Sequence, residues 1–218
     1  MTKSKKIAVV LSGCGVYDGA EIHESVFALW AIASAGASYD IYAPDVQQHH
    51  VINHLNGQEM PEKRNVLIEA ARIARGDIQP VSELNATKAD AILFPGGFGV
   101  AKNLCSFAVD GADCQVNPEL EKVVKDFHQA GKPIGALCIS PVLITKVLGN
   151  PEVTIGSDAD TAKAIEEMGG KHVNTSHAEV VVDATNKIVS TPCYMLDANI
   201  LQIADGAKKA VDTLIKML

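Results

Sequence analysis

Five cysteines carry the most reactive side chains of this 218-residue chain, and the surroundings of one of them suggest a nucleophile. Cys138 follows a short run of apolar and small residues, 134–137, and precedes Ile139-Ser140-Pro141, a sequence that can begin a helix. A cysteine on a tight turn between a strand and a helix lies at a helix N-terminus, where the dipole lowers the pKa of a thiol. The sequence therefore predicts a nucleophile elbow at Cys138, with a buried structural thiol as the alternative.

Glu24 is the candidate acid or base. The helix expected over residues 20–36 is apolar nearly all round, so we expect it to be buried, with Glu21 on its one solvated edge. Burial favours the protonated carboxyl group, which could donate to a thiolate and later move a proton. The alternative is an ordinary surface carboxylate. The helix face opposite Glu24 consists of Ile22, Val26, Leu29, Trp30 and Ala33.

Other candidate site residues follow predicted strands, because ligands of such sheets bind beyond the carboxyl ends of the strands. Gly96-Gly97 follows Ile92-Leu93-Phe94-Pro95, and a backbone without side chains there could direct N–H groups at a developing oxyanion. The residues expected to line the same pocket are Gly13, Cys14, Gly96 and Cys193.

The sequence gives weaker support for two other kinds of ligand site, a dinucleotide site and a metal site. Gly13-x-Gly15 is the beginning of a dinucleotide fingerprint, but Asp18 stands where Gly or Ala is required. His50 and His54 would share a face if their segment were helical, with His49 beside them, but a polar loop explains all three. We therefore expect no metal and no organic cofactor.

Composition excludes several classes of protein. The net charge of −7 argues against nucleic acid as a partner, and no apolar run reaches the ~18 residues of a membrane helix. The cysteine number is odd and no Cys-x-x-Cys occurs, which disfavours a disulfide framework or an all-cysteine zinc site. These features predict reduced thiols in a cytoplasmic protein.

Short apolar runs alternate with helical segments along the chain, which predicts a mainly parallel α/β sheet covered on both faces. We expect one domain over residues 1–218, with an insertion at about 45–60 that forms a small hairpin near the site or an interface. A C-terminal antiparallel hairpin is expected over 179–183 and 187–191. The expected strands are 6–12, 39–43, 89–95, 133–138 and 153–156, and the expected helices are 20–36, 61–75, 118–131, 157–168 and 195–217.

Four segments together resemble the PfpI-like branch of the class I glutamine amidotransferase-like superfamily. They are the Glu24 helix ending at Gly36, the run from Phe94-Pro95-Gly96-Gly97 to Leu104, the Ala136-Leu137-Cys138 elbow, and Ser190-Thr191-Pro192. Residues 11–19, 51–55 and 64–73 are similar, more narrowly, to the isoprenoid-biosynthesis-associated, amidotransferase-like group also called sigma cross-reacting proteins.

The resemblance implies a flavodoxin-like three-layer sandwich, a homodimer, and a catalytic pair of Cys138 and Glu24. Backbone N–H groups of Gly97 and Ile139 would form the oxyanion site. It also implies glutathione-independent glyoxalase activity on a small dicarbonyl. Glutaminases of the superfamily place His-x-Glu after the last strand, where this chain has Thr191-Pro192-Cys193, so glutaminase activity is not expected.

Two other functions stay open. Cys138 could sense oxidants in a stress-response or regulatory protein. Alternatively, the chain could be a non-glutaminase accessory protein linked to isoprenoid biosynthesis.

Overall fold

A seven-stranded sheet forms the centre of the protein in a computed structural model that describes residues 4–218. Its strand order is β10-β11-β7-β6-β1-β2-β5, and every pair is parallel except β10 with β11. The strands of this sheet are β1 (Lys6–Val10), β2 (Ser38–Ala43), β5 (Gln79–Pro80), β6 (Ala91–Phe94), β7 (Ile134–Leu137), β10 (Val181–Asp183) and β11 (Ile188–Thr191). The flavodoxin-like α/β fold with a C-terminal antiparallel pair is thus confirmed.

Helices cover both faces of the sheet, which explains why its central strands are apolar on both sides. Helices α1 and α7 pack against each other, and α7 also lies on β7 and β11. On the other face, α4 and α5 pack against each other and on β7. The helices are α1 (Ile22–Ser34), α2 (Val66–Ile73), α3 (Phe107–Asp110), α4 (Pro118–Gln129), α5 (Pro141–Leu148), α6 (Ala159–Glu167) and α7 (Ile200–Lys216).

Capping side chains move several helix starts from their expected positions. Asn117 caps α4 and Pro118 is its first residue, as the sequence predicts. By contrast, α2 begins at residue 66 because the Asn65 side chain accepts the N–H of Ile68. Helix α7 begins at residue 200 rather than 195, because Asn199 and Gln202 form a capping box and residues 193–195 form a separate 3₁₀ turn.

The expected strand over 153–156 does not join the main sheet. Instead β8 (Glu152–Val153) pairs with β9 (Lys171–His172) in a small parallel sheet. Strand β10 already occupies the edge beside β11, so side chains attach this segment: the Ser190 hydroxyl accepts the N–H of Thr154 at 2.9 Å. The polar segment after β2 does contain a hairpin, β3 (Val51–Ile52) with β4 (Glu59–Met60).

Helix α1 is not buried all round, which corrects the expectation from its composition. Trp30, Val26 and Ile22 are 49%, 48% and 42% exposed, so the face opposite Glu24 contacts solvent. Glu21, expected to be solvated, is buried instead, because its side chain caps α1 by accepting the N–H of Glu24 at 2.7 Å. Among the described residues, no helix combines the length and the apolar character that crossing a bilayer requires.

Candidate active site

Cys138 occupies a sharp turn between β7 and α5. Its φ is 58°, in the left-handed region that favours glycine, and its N–H donates to the Thr191 carbonyl at 3.0 Å. The Ser140 hydroxyl donates to the carbonyl of Pro95 at 2.9 Å, which ties the turn to the end of β6. Pro141 then begins α5. This strained strand-turn-helix geometry is that of a nucleophile elbow.

Glu24 points from α1 to the elbow and is fully buried. One carboxyl oxygen, Oε2, accepts the N–H of Gly96 at 2.9 Å, and Oε1 accepts the N–H of Tyr194 at 3.3 Å. The Cys138 thiol lies beside the carboxyl group, because a Cβ atom on Gly96 would be 2.7 Å from Oε2 and 2.9 Å from Sγ of Cys138. Three separate parts of the chain therefore fix this carboxyl group against the thiol.

Burial gives the Glu24 carboxyl group an unusual pKa. Its pKa is raised from 4.5 to about 8, first by burial and second by the negative charge of Glu21, although the two N–H donors and Cys138 oppose the rise. At neutral pH the Glu24 carboxyl group is therefore protonated in most protein molecules. The sequence-based inference of a protonated Glu24 rested on the same cause.

The thiol of Cys138 departs from the expectation based on the helix dipole. Its pKa is raised well above its usual value, first because the thiol is buried and second because Glu24 can be charged. Hydrogen bonds from the N–H groups of Gly97 and Ile139 lower it, but burial outweighs them. The expectation of a lowered pKa was therefore wrong. Carboxyl and thiol form a buried pair that can exchange a proton directly.

Two glycines make room for this pair. A Cβ atom on Gly96 would lie 2.3 Å from the Cβ of Cys138 and 2.7 Å from Oε2 of Glu24. Gly97 has a φ of 102°, and a Cβ there would lie 2.4 Å from the carbonyl oxygen of Gly19. The Gly-Gly pair thus lets the β6 turn approach both the elbow and the loop before α1.

The N–H groups of Gly97 and Ile139 both reach the sulfur of Cys138. An oxygen on a carbon attached to that sulfur would form close to the same donors. Donors fixed in advance stabilise such an oxyanion without reorganisation. The structure brings these two residues together with Cys138 and Glu24, the four positions that the sequence and the resemblance suggest.

Tyr194 is a site residue that sequence reasoning did not single out. Besides its N–H bond to Glu24, its hydroxyl lies 2.9 Å from Nδ1 of His23. His23 in turn lies 4.0 Å from Oε1 of Glu21. The only sequence signal for Tyr194 was its place just after the last strand of the sheet, within the 192–194 loop. His23 thus contacts Tyr194 rather than Glu24.

A cavity of about 470 Å³ opens at Cys138. Its wall is mostly apolar, with Lys102 and Asp158 as the charged residues. Both are engaged: Lys102 Nζ donates to the carbonyl of Tyr17 at 2.8 Å, and Asp158 caps α6. The lining residues are Val16, Gly97, Phe98, Ala101, Lys102, Phe107, Ala108, Cys138, Ile139, Asp158, Thr161, Tyr194 and Met195.

The remaining pocket candidates lie elsewhere than expected. Gly96 and Cys193 are absent from the cavity wall: Gly96 packs directly against Cys138, and the Cys193 thiol is buried. Gly13 and Cys14 do not line the cavity. Cys14 is half-buried, and the charges that act on its thiol are those of Glu69, Arg72 and Asp18.

The β3–β4 hairpin supports the loop before α1. The Asp18 carboxylate accepts the N–H of Ile52 at 2.7 Å, and Nε2 of His54 accepts the N–H of Tyr17 at 3.1 Å. Nδ1 of His54 lies 3.0 Å from the carbonyl of Ile52, so both ring nitrogens contact the backbone. His54 therefore has a structural role, and its segment is a hairpin rather than a helix.

Comparison with known proteins agrees with this geometry. Residues 15–198 match the model of the DJ-1/PfpI family. The chain belongs to the DJ-1/PfpI family. A curated relative, the human "Glutamine amidotransferase-like class 1 domain-containing protein 3, mitochondrial", is 50% identical over 97% of this chain and 83% of its own length. The class I glutamine amidotransferase-like resemblance is thereby confirmed.

Two solved structures are similar to this DJ-1/PfpI chain over nearly its whole length. An Ehrlichia chaffeensis "isoprenoid biosynthesis protein with amidotransferase-like domain" has a TM-score of 0.92 and 34% identity, covering 98% of this chain and 99% of that one. Candida albicans glyoxalase III shares the fold with a TM-score of 0.63, covering 98% of this chain and 97% of that one. At 14% identity, that likeness shows the fold alone.

The names of the curated relatives correct one expectation about this DJ-1/PfpI protein. The human protein and the ES1 proteins of rat and zebrafish are all named mitochondrial. The expectation of a cytoplasmic protein, which rested on reduced cysteines alone, is therefore wrong. Thiols are also kept reduced in compartments other than the cytoplasm, so composition did not distinguish them.

Proposed function

We propose that this protein is a cofactor-independent glyoxalase that converts glyoxal to glycolate, or methylglyoxal to lactate, through a hemithioacetal on Cys138. The observation that carries the proposal is the buried Glu24 carboxyl group beside the Cys138 thiol, held by the N–H groups of Gly96 and Tyr194. A buried acid next to a nucleophile is suited to moving protons between two adjacent carbons.

The first step is addition of the thiol to an aldehyde carbon. A bond forms between sulfur and carbon, and the thiol proton passes to the ionised form of Glu24. The carbonyl oxygen becomes an oxyanion near the N–H groups of Gly97 and Ile139 and then takes the proton back. The product is a hemithioacetal with the second carbonyl group still intact.

The second step moves hydrogen between the two carbons. Glu24 removes the proton from the carbon attached to sulfur, which gives an enediolate, and then returns a proton to the neighbouring carbon, while the hydroxyl proton passes from the first oxygen to the second. The carbon attached to sulfur becomes a thioester and its neighbour carries the hydroxyl group. Water cleaves the thioester, which releases glycolate and restores the Cys138 thiol. Overall, glyoxal and one water give one glycolic acid.

The test uses purified protein with glyoxal and without glutathione. Wild type is compared with Cys138→Ser and Glu24→Gln, and glycolate is measured by NMR. Cys14→Ser is the matched control, because this thiol does not line the cavity. We expect the first two variants to lose glycolate formation and the control to keep it. Equal glycolate output from all four proteins would refute the proposal.

The pH dependence provides a second test. Glu24 must be ionised to accept the thiol proton, so kcat/KM should rise with pH and level off above about pH 8, the pKa of this group. Since Cys138 titrates higher, its thiol remains the proton source over this range. An activity that falls between pH 6 and pH 8 would contradict the role of Glu24 as the base.

A second candidate function is oxidant sensing at Cys138. The same Glu24 carboxyl group, when protonated, could donate a hydrogen bond to a sulfinate on that sulfur. Mass spectrometry after mild peroxide treatment would support it by a sulfinic adduct confined to Cys138. No glyoxal turnover together with that adduct would favour sensing over catalysis.

A third candidate is an accessory role linked to isoprenoid biosynthesis, which the name of the Ehrlichia chaffeensis protein suggests. Absence of both glutamine hydrolysis and glyoxal turnover would favour it. We also propose a mitochondrial location, on the names of the curated relatives. Fractionation of cells that express the natural protein tests that location.

A further inference from the structure

Two cysteines outside the site lie side by side in the segment that follows β6. Cys105 comes directly after a π-helical turn, Val100–Leu104, and Cys114 comes directly after a 3₁₀ turn, Gly111–Asp113. Both thiols are buried and free, and each shifts the pKa of the other; the Cys105 thiol itself donates to the Val100 carbonyl at 3.3 Å. The two turns between them, α3 and the 3₁₀ turn, form a short loop on the surface.

Backbone pairing fixes this contact. Cys105 and Val116 form an antiparallel bridge, and the neighbouring bonds continue it: the N–H of Ser106 donates to Gln115 at 3.0 Å, and that of Asn117 donates to Leu104 at 2.9 Å. Cys114 lies two residues before Val116, so its side chain is on the same face of this short ladder as that of Cys105. Their contact is therefore a built feature of the fold rather than a chance approach of two loops.

The two thiols are chemically unequal. The pKa of Cys114 is lowered to about 7, mainly by the neighbouring Cys105 thiol and also by the charge of Lys146. Burial and the charge of Asp110 act in the opposite direction and raise it. Lys146 is held there because its Nζ donates to the carbonyl of Ala112 at 2.8 Å. The pKa of Cys105 is raised, first by the neighbouring Cys114 thiol and second by burial. Cys114 is thus the more acidic of the two thiols, and its thiolate is the better nucleophile of the pair.

We propose that Cys105 and Cys114 form a reversible disulfide when the protein meets a hydroperoxide. The Cys114 thiolate attacks the peroxide, an S–O bond forms, the O–O bond breaks, and the alcohol or water leaves after taking up a proton. The Cys105 sulfur then attacks the sulfenic sulfur, an S–S bond forms, and water leaves. Two thiols lose two electrons in total, and the peroxide is reduced by the same two.

The disulfide would act on the cavity wall. Phe107 and Ala108 line the cavity at Cys138 and lie between the two cysteines in the chain. Closing this short loop covalently restrains how far that wall can move. The loop also covers the thiols, and Val109 at its tip is 67% exposed. We therefore expect the oxidant to enter when the loop opens, so that the reaction is slower than at an exposed thiol.

The experiment is peptide mapping of the full chain after treatment with hydrogen peroxide. Trypsin cuts after Lys102 and Lys122, so both cysteines lie in one peptide whose mass falls by two hydrogens when the disulfide forms. Cleavage after Phe107 then leaves two pieces that remain joined until a reductant is added. Cys138 lies outside this peptide, so its oxidation is measured separately.

Variants sharpen the test. Cys105→Ser should lose the disulfide and accumulate sulfinic acid at Cys114, because no thiol is left to resolve the sulfenic acid. Cys14→Ser is the matched control and should form the disulfide as wild type does. Amide hydrogen exchange of residues 105–114 should slow on oxidation in the wild type and in Cys14→Ser, and should not slow in Cys105→Ser.

Three results would overturn the proposal. One is peroxide oxidation of Cys114 to sulfinic acid in the wild type with Cys105 left as a thiol. Another is a disulfide of either cysteine with Cys138 or Cys193 instead. The third is peroxide treatment that oxidises other thiols and leaves both cysteines reduced. None of these outcomes depends on glyoxalase activity.

Discussion

Glu24→Gln tests the electrostatics of the candidate site through folding stability. The wild-type carboxyl group is fully buried, and burial with the charge of Glu21 raises its pKa from 4.5 to about 8. Because the pKa is raised in the folded state, its stabilising contribution is fully present below pH 4.5 and is lost as the pH rises through 8. A neutral amide at this position has no such dependence.

The magnitude follows from these two pKa values. Linkage predicts that ionisation of Glu24 in the unfolded chain removes roughly 1 kcal/mol of unfolding free energy by pH 5 and roughly 3 kcal/mol by pH 7. The variant also has a cost that does not change with pH. Its NH₂ group must face one of the backbone N–H donors, of Gly96 or Tyr194, that the carboxyl group now satisfies. That cost is about 1–3 kcal/mol.

The assay is urea unfolding of both proteins from pH 5 to pH 9. The stability of Glu24→Gln minus that of wild type should rise by about 2–3 kcal/mol between pH 5 and pH 7 and level off above pH 8. Other titrating groups cancel in the difference. Glu119→Gln, at an exposed position on α4, is the control and should give a flat difference. A flat difference for Glu24→Gln as well would refute the assignment of a protonated buried carboxyl group.

Three further predictions concern packing, assembly and folding. Gly96→Ala places a Cβ atom 2.3 Å from the Cβ of Cys138, so this variant should lose glyoxal turnover. Gly206→Ala is the control, because its Cβ makes only ordinary contacts at 3.5 Å, and it should keep the activity. Equal activities of the two variants would contradict the argument from crowding. Trp30→Glu on the exposed α1 face should convert the homodimer that the resemblance implies into a monomer in light scattering, and a monomeric wild type would contradict that expectation. Asn199→Ala removes the α7 cap and should lower the unfolding free energy by about 1 kcal/mol, which corresponds to a fall in Tm of about 3 °C in calorimetry. An unchanged Tm would show that the cap contributes nothing to stability.

The sequence predicted most of the fold because its signals were local. Apolar runs gave the buried strands β1, β6 and β7, and Asn117-Pro118 gave the start of α4. Strand β5 and the β8–β9 pair were missed or misplaced. Each of these strands is only two residues long. Their pairing depends on which sheet edge is free, and no local sequence pattern specifies that.

The site was predictable in part for the same reason. The elbow and the Gly-Gly turn have short sequence signals, and the structure joins them to Glu24. The role of Tyr194 depends on a backbone N–H that reaches Glu24 across 170 residues of chain, and the raised pKa of Cys138 depends on burial. The exposed face of α1 was misjudged because an apolar surface has the same residue types as an apolar core.

Glycolate formed from glyoxal in D₂O tests the central claim most directly. NMR of the product from wild type and from Cys138→Ser shows both whether the thiol is required and whether a proton moves through an enediol. We expect glycolate from wild type, with deuterium on its hydroxyl-bearing carbon wherever the Glu24 proton exchanges with solvent, and no glycolate from the variant. Equal glycolate from both proteins, or glycolate from neither, would contradict the role of Cys138.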